Sequence, residues 1–392
     1  MQQKLYTFLK SSSAGGILLI ITTLFALVLV NSPFSDIYGY ILHVPVEIRV
    51  GAIHIDKTLH HWVSEGLMAI FFLAIGLEIK REVIEGHLSS FGQVLLPTIA
   101  AIGGIVAPAL IYTMFNSGDP VAMRGWAIPT ATDIAFALGI LSLLPRVPVS
   151  LKVFLLALAI IDDLGAIVII ALFYTTQLSM LSIYVASAAL IVLILFNRLG
   201  FSNKSLYFMV AIVLWVSVLK SGVHATIAGV LFAFTIPLKT SDASGIVSSP
   251  LKEVEHGLHP WIVFFILPMF AFVNAGVDMR NLSIDEAIGN VPLGITLGLF
   301  LGKQIGVFGF SWLAIKLKIA SMPQDSSWLM LYGVSVLTGI GFTMSLFVDS
   351  LAFPDDRLFA YADKLAILLG TIFSAVFGYI ILKFAIAKNK EG

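Results

Sequence analysis

Residues 154–173 read FLLALAIIDDLGAIVIIALF, and the two adjacent acids inside this apolar run, Asp162 and Asp163, decide how the rest of the chain is read. About eight apolar residues stand on either side of the pair. A run of about 20 apolar residues crosses the hydrocarbon core of a bilayer, so the pair falls near the midplane. An ionisable group at that depth costs several kcal/mol unless it faces a cavity or a partner, and is by default a candidate functional site.

The remainder of the 392 residues agrees with a membrane setting. Hydrophobic residues make up 58% and charged ones only 12%, where soluble domains carry about 25%, and the mean hydropathy is +0.99. Most of the surface must therefore face lipid. With 23 basic and 23 acidic side chains the formal charge is zero, and the basic patch that nucleic acid requires is missing. The chain has no Cys, which excludes disulfide frameworks, thiolate metal sites and Cys nucleophiles.

Apolar runs follow one another near 13–31, 60–79, 95–115, 121–143, 150–174, 181–197, 205–219, 223–237, 259–276, 290–314, 327–349 and 357–384. The expected fold is an all-α polytopic membrane domain over 1–392, with about twelve transmembrane helices. The first run has a basic start in Lys4 and Lys10, but Val30-Asn31-Ser32-Pro33 is a poor cleavage site, so it stays a helix rather than a signal peptide. With the N-terminus in the cytoplasm, fifteen of the 23 Lys and Arg fall inside (among them Lys4, Lys10 and Lys390), seven fall outside (Arg357 and Lys364 included) and one, Lys303, lies within a span. That bias puts both termini in the cytoplasm.

Two connections carry further signals. Residues 45–58, PVEIRVGAIHIDKT, alternate apolar and polar around Gly51, as a hairpin does; it either pairs with a second copy of the chain through its edge or caps its own chain. Residues 238–258, LKTSDASGIVSSPLKEVEHGL, read as a polar cytoplasmic loop with a surface helix at its end.

Charges inside spans are few: Asp133, Asp162, Asp163 and Lys303. Neighbours on a helix point about 100° apart, so Asp162 and Asp163 can border one cavity in different directions. Two close carboxylates repel, which raises at least one affinity for protons, and carboxylate oxygens suit a hard cation such as Na⁺. Asp133 lies in AIPTATDIAFALG (127–139), where Pro129, Thr130 and Thr132 interrupt the helix. Thr338-Gly339-Ile340-Gly341-Phe342-Thr343 interrupts span 327–349 in the same way. The ends of half-helices present unsatisfied backbone groups with partial charges, which a carboxylate can neutralise. Lys303, in LGLFLGKQIGVFGF (297–310), is central in its span and needs an anion; Asp162 or Asp163 supplies one if the third helix of one trio packs on the first of the other. The broken spans are central in the trios 95–174 and 290–384, which suggests an inverted repeat with its site at mid-membrane, a signature of secondary transporters that includes the family named next.

TATDIAFALG (130–139), LALAIIDDLGAI (156–167), LKSGVHATIAGV (219–230), GLFLGKQIGVFGF (298–310) and TGIGFTMSLF (338–347) together resemble the bacterial NhaA-type sodium/proton antiporter family over essentially the whole chain. The resemblance implies a bacterial inner-membrane protein of twelve helices, dimeric through the external hairpin, which exchanges Na⁺ or Li⁺ for H⁺ electrogenically, with no cofactor beyond the transported ions. It implies Asp163 as the principal Na⁺/H⁺ carboxylate and Asp162 as its neighbour paired with Lys303. Asp133 and Lys303 would balance the half-helix ends, with Thr132 beside Asp133 in the cavity.

A second cluster stands at the cytoplasmic mouth. GLEIKREVIEGH (76–87) sets Glu78, Arg81 and Glu82 on one helix face, and LKEVEHGLHPW (251–261) brings Lys252, Glu255, His256 and His259 to the start of the ninth span. His titrates near neutral pH, and the resemblance implies a pH-sensing role for this cluster and for His224. Ser64 and Glu65 stand where the family commonly has Asn and Asp. Among rivals, an intramembrane aspartyl protease needs a Gly-x-Gly-Asp context that neither Thr132-Asp133 nor Ile161-Asp162-Asp163 offers. A channel would favour a ring of acids. A proton- or sodium-coupled transporter of a small organic solute is the alternative that the same residues would serve.

Overall fold

The structure, a computed structural model, describes residues 14–50, 53–175, 178–201, 203–241, 247–280, 282–355 and 358–388. Among them, eight helices are long and apolar enough to cross a membrane: Leu59–Ile84, Gly92–Asn116, Ala122–Ser142, Val149–Phe173, Met180–Arg198, Pro250–Asn274, Asn290–Lys316 and Ala362–Lys388. The number rises to ten if two bent pairs each form one span: Ala14–Val30 with Ser35–His43, bent by 112°, and Trp328–Leu337 with Phe342–Ala352, bent by 43°. Lys204–Leu219 and Thr226–Thr235 are apolar but shorter. Every expected run thus carries helix, while length and composition qualify eight to ten of them as spans. Lys4, Lys10, Arg357 and Lys390, used in the charge count, lie outside the described residues, as does the hairpin residue Gly51.

Two boundaries are corrected. The stretch 238–258 ends in the expected helix, whose first turn holds Pro250 and whose Lys252 N–H donates to the Ser249 hydroxyl, but this helix is continuous with the ninth span, which therefore runs from Pro250 to Asn274 rather than from 259. Ser-Pro is a helix-start signal. The last helix begins at Ala362 rather than 357, so Lys364, counted among the outer loop charges, is a buried residue of its first turn. The first run is followed by a separate short helix, Ser35–His43, not expected from the sequence as an element of its own.

The chain divides into two compact units, Met1–Gly39 with Ser90–Ala166 and Ala271–Gly392, and Tyr40–Ser89 with Ile167–Phe270. In the first unit, Phe91–Asn116 and Asn290–Lys316 meet backbone to backbone. A Cβ on Gly306 would lie 2.0 Å from the Gly103 carbonyl oxygen, and one on Gly103 would lie 2.3 Å from that of Gly306. Only hydrogen fits at both positions, which is the usual way for membrane helices to gain contact area where no hydrophobic driving force separates lipid from side chain. Beside this contact the helix widens into two π-helical stretches, Gly298–Gly302 and Gln304–Phe308, with Lys303 between them. Such turns recur at functional positions in helices.

In the second unit, β1 (Pro45–Val50) and β2 (Ile53–Thr58) pair antiparallel, with Pro45 opposite Thr58 and Glu47 opposite Asp56. The Trp62 indole donates to the Val46 carbonyl at 3.0 Å, anchoring the hairpin to the helix that follows it. Leu77, Leu193, Leu214, Phe232 and Leu251 form the buried centre of this unit. Gly306→Val should lower the thermal midpoint of the detergent-solubilised protein, by an overpacking cost of about 1–3 kcal/mol; an unchanged melting curve would contradict the close approach.

Candidate functional site

Two interrupted segments of the first unit cross. One is a 3-10 helix, Ala122–Thr130, then an extended link in which Ala131 has ψ 148° and Asp133 has ψ 99°, then the α-helix Ile134–Ser142. The other is Trp328–Leu337 and Phe342–Ala352, parted at 338–341. The breaks fall where Pro129 and the Gly339/Gly341 pair were expected to produce them. Each break leaves backbone groups without helical partners, and burial demands that they be satisfied.

They are satisfied by each other. The Asp133 N–H donates to the Ile340 carbonyl at 2.6 Å, and the Thr132 hydroxyl donates to the Thr338 carbonyl at 2.9 Å. The Asp133 carboxylate accepts from the Phe136 N–H at 2.9 Å through Oδ1 and from the Thr343 N–H at 3.1 Å through Oδ2, which also takes the Thr343 hydroxyl. One buried carboxylate thus caps the N-termini of two half-helices, where the backbone partial charge is positive. Ser345 adds a further tie, its hydroxyl donating to the Ile128 carbonyl at 2.8 Å. The sequence pointed to Asp133 and Thr132 but not to Thr343 or Ser345 as their partners, because a hydroxyl in a helix usually bonds back to its own preceding turn, as those of Thr22 and Thr23 do.

Asp162 and Asp163 are both buried on the helix Val149–Phe173. The Lys303 ammonium, fully buried, stands 2.7 Å from Asp162 Oδ2, and Asp163 acts on the same ammonium electrostatically. Of the two acids open as partners, geometry selects Asp162 for the contact. Asp162 Oδ1 has no hydrogen-bond partner among the described residues, so an acceptor oxygen stands ready at a buried position. The half-helix ends are served by Asp133, Thr132 and Thr371, while the contact that Lys303 makes is with Asp162.

A further buried acid, Asp349, was passed over because it stands at the edge of its apolar run; the helix continues to Ala352 and encloses it. Asp363 and Lys364 are buried in the first turn of Ala362–Lys388.

The second cluster lies wholly within the second unit. Arg81 Nε donates to both oxygens of Glu255 at 3.0 Å, and its Nη1 donates to Glu82 Oε1 at 2.5 Å. Glu78 is partly buried beside them and interacts electrostatically with Arg81, Glu82 and Glu255. Glu85, absent from the expected set, holds Lys239 at 2.6 Å and Lys252 at 2.7 Å. Lys80 donates to the Phe234 and Ile236 carbonyls at 2.8 and 2.6 Å, at the C-terminal end of Thr226–Thr235, where a cation complements the helix dipole. His256 and His259 are exposed, and the His256 ring meets the Lys252 carbonyl at 2.6 Å. His224 is separate from this group: its ring meets the Tyr174 carbonyl at 2.9 Å, within electrostatic reach of Glu65. Ser64 is buried in the π-helical turn that also carries Glu65.

Crossed, interrupted helices beside buried charges are the architecture of a secondary transporter, of which the NhaA antiporters are themselves a standard instance. The profile of the family described as Na⁺/H⁺ antiporter 1 matches residues 6–382. A protein of Sulfurovum sp. named Na(+)/H(+) antiporter NhaA is 64% identical over 386 residues, covering 98% of each chain. A protein of the same name from Nitratiruptor sp. is 58% identical over 97% of this chain and 98% of its own, and Na(+)/H(+) antiporter NhaA 1 of Pseudomonas putida is 55% identical over 97% and 96%. The chain belongs to this Na⁺/H⁺ antiporter family.

Lys303→Ala should leave the Asp162 carboxylate buried without its cation, a change that costs about 3–5 kcal/mol when one partner of a buried pair is removed. The expected readout is a lower thermal midpoint or a displaced pH profile of exchange; neither moving would remove the pair from any role. At the other cluster, hydrogen bonds from Lys239 and Lys252 hold the Glu85 carboxyl well below the usual carboxylate range, at about 2. A depressed value in the folded state means that the stabilisation is complete above the ordinary value of 4.5 and is lost as pH falls toward 2. Acid titration of the thermal midpoint should therefore be shallower in Glu85→Gln than in the parent across that window, and superimposable curves would contradict it.

Proposed function

We propose that this chain exports Na⁺, or Li⁺, in exchange for H⁺ entering the cytoplasm, by competition of the two ions for Asp163 and Asp162. The observation that carries the reading is a pair of adjacent buried carboxylates, one of them held by a buried Lys303. Carboxylate oxygens bind either a proton or a hard cation, and neither ligand leaves room for the other. Asp163 is the principal carboxylate. The second proton resides on Asp162 or on Lys303, since breaking their contact frees a titrating group on either side, and two protons per Na⁺ make the exchange electrogenic.

The rest of the reading follows from membrane physics and from the family. The chain forms twelve spans in the inner membrane with both termini in the cytoplasm, supported by the Lys/Arg bias of the loops. The trios 95–174 and 290–384 form an inverted repeat around the crossing, with Asp133 balancing the half-helix starts and Thr132 bracing the break. The site opens alternately to each side, and the ion bound shifts the balance only through its different affinity for the two facings. The cluster of Glu78, Arg81, Glu82, Lys252, Glu255, His256 and His259, with His224, adjusts activity to pH. The external 45–58 hairpin joins two membrane-embedded copies into a homodimer.

Asp163→Asn should abolish exchange in proteoliposomes, read as Na⁺-driven proton movement with a pH dye across pH 6.5–8.5. Undiminished proton movement in that variant would overturn the assignment of the site.

A further inference from the structure

Helix Ala362–Lys388 presents two hydroxyls, Thr371 and Ser374, to the break at 338–341. They are three residues apart and so lie on one helix face. Thr371 Oγ1 accepts the Phe342 N–H at 3.1 Å, so the start of the half-helix Phe342–Ala352 is held from two sides: by the Asp133 carboxylate at Thr343 and by a neutral hydroxyl at Phe342. Ser374 is different. It has no accessible surface, and its Oγ has no hydrogen-bond partner among the described residues. The hydroxyl lies against the break itself, 2.3 Å from where a Cβ on Gly339 would stand, with the Leu299 carbonyl oxygen 2.4 Å from the same point.

A buried hydroxyl without a partner costs free energy comparable to the hydrogen bond it lacks, about 1–3 kcal/mol. Ser374 has no such partner in the facing state described here, although its neighbour on the same face does. The carbonyls of the break next to Gly339 are already engaged: Thr338 with the Thr132 hydroxyl, Ile340 with the Asp133 N–H and Gly341 with the Ser345 N–H. Gly339 is the nearest peptide of the break to the Ser374 hydroxyl, and the absence of a side chain on Gly339 leaves the approach open to a small displacement of the break.

We propose that Thr371 and Ser374 are positioning residues for the exchange cycle: Thr371 holds the second half-helix in the facing state seen here, and the Ser374 hydroxyl donates to the Gly339 carbonyl in the opposite one. The inference rests on the antiport reading, because it needs a cycle with two facings. Neither residue touches the transported ion. Removing the Ser374 hydroxyl therefore leaves equilibrium ion binding intact and slows the passage between facings, while Thr371 acts on the state already populated.

The test is Ser374→Ala in proteoliposomes, with Na⁺-driven proton movement and calorimetric Na⁺ or Li⁺ binding measured on the same preparation. Maximal exchange should fall roughly fivefold, the worth of one ordinary hydrogen bond, with the dissociation constant unchanged; Thr371→Val should be impaired and Thr371→Ser restored. Because the chain has no Cys, Ser374→Cys gives a unique probe. Its reaction with a small membrane-permeant thiol reagent should differ between Na⁺ and K⁺ media. Parent-like exchange in Ser374→Ala, a dissociation constant that changes as much as the rate, or labelling indifferent to the cation would each overturn the positioning role. A parent protein that moves no protons with Na⁺ would instead overturn the function on which the role rests.

Discussion

An interrupted helix in an apolar interior survives only if its exposed peptide groups find partners, because no water is at hand to supply them. The whole candidate site is organised by that requirement. Asp133 answers it twice, with one carboxylate oxygen for each of two half-helices, and its own N–H answers it a third time at Ile340. The two breaks are therefore one hydrogen-bonded unit rather than two local defects. A carboxylate used in this way is neutralised by backbone dipoles and needs no basic side chain. Lys303 is thereby left to Asp162, and the acids of the Val149–Phe173 helix remain the candidates for binding an ion.

Rigid and adjustable parts alternate around this unit. The Gly103–Gly306 contact joins two backbones with no side chain between them, so the helices cannot approach further and can slide only by separating. Gly306 itself belongs to the π-helical winding on the two sides of Lys303, which loosens the regular ladder. A charged group held by a loosely wound segment, next to a tight backbone contact, can be displaced slightly without unfolding the helix that bears it.

Much of the site was legible because membrane burial makes polar residues conspicuous. Asp162, Asp163 and Lys303 stood out against apolar neighbours, and Pro129 with Gly339 and Gly341 marked both breaks. That Lys303 needs one of the two acids was legible from the charges, while the choice of Asp162 rested on the family resemblance and is made by the geometry of the structure. Residues that use common chemistry in an unusual direction were not legible. Thr343, Ser345, Thr371 and Ser374 look like any hydroxyls in apolar helices, and their role depends on which foreign peptide group lies opposite. Asp349 was hidden by standing at the edge of its run, and Glu85 by lying among other charges. The helix at the end of 238–258 was legible, but not that it runs on into the ninth span, because its polar turns look like the surface of the protein rather than part of an apolar run.

Glu85 grips Lys239 and Lys252, which stand on either side of a connection whose strands Thr240–Ser241 and Val247–Ser248 pair with each other. The two ends of the connection are thus fastened to one anchor. Closure entropy grows only slowly with length, by about 0.6 kcal/mol per doubling. This makes the connection a natural cloning site: an affinity tag or a fluorescent reporter inserted between the paired strands would ride on the anchored ends, leaving the transmembrane helices to fold as before.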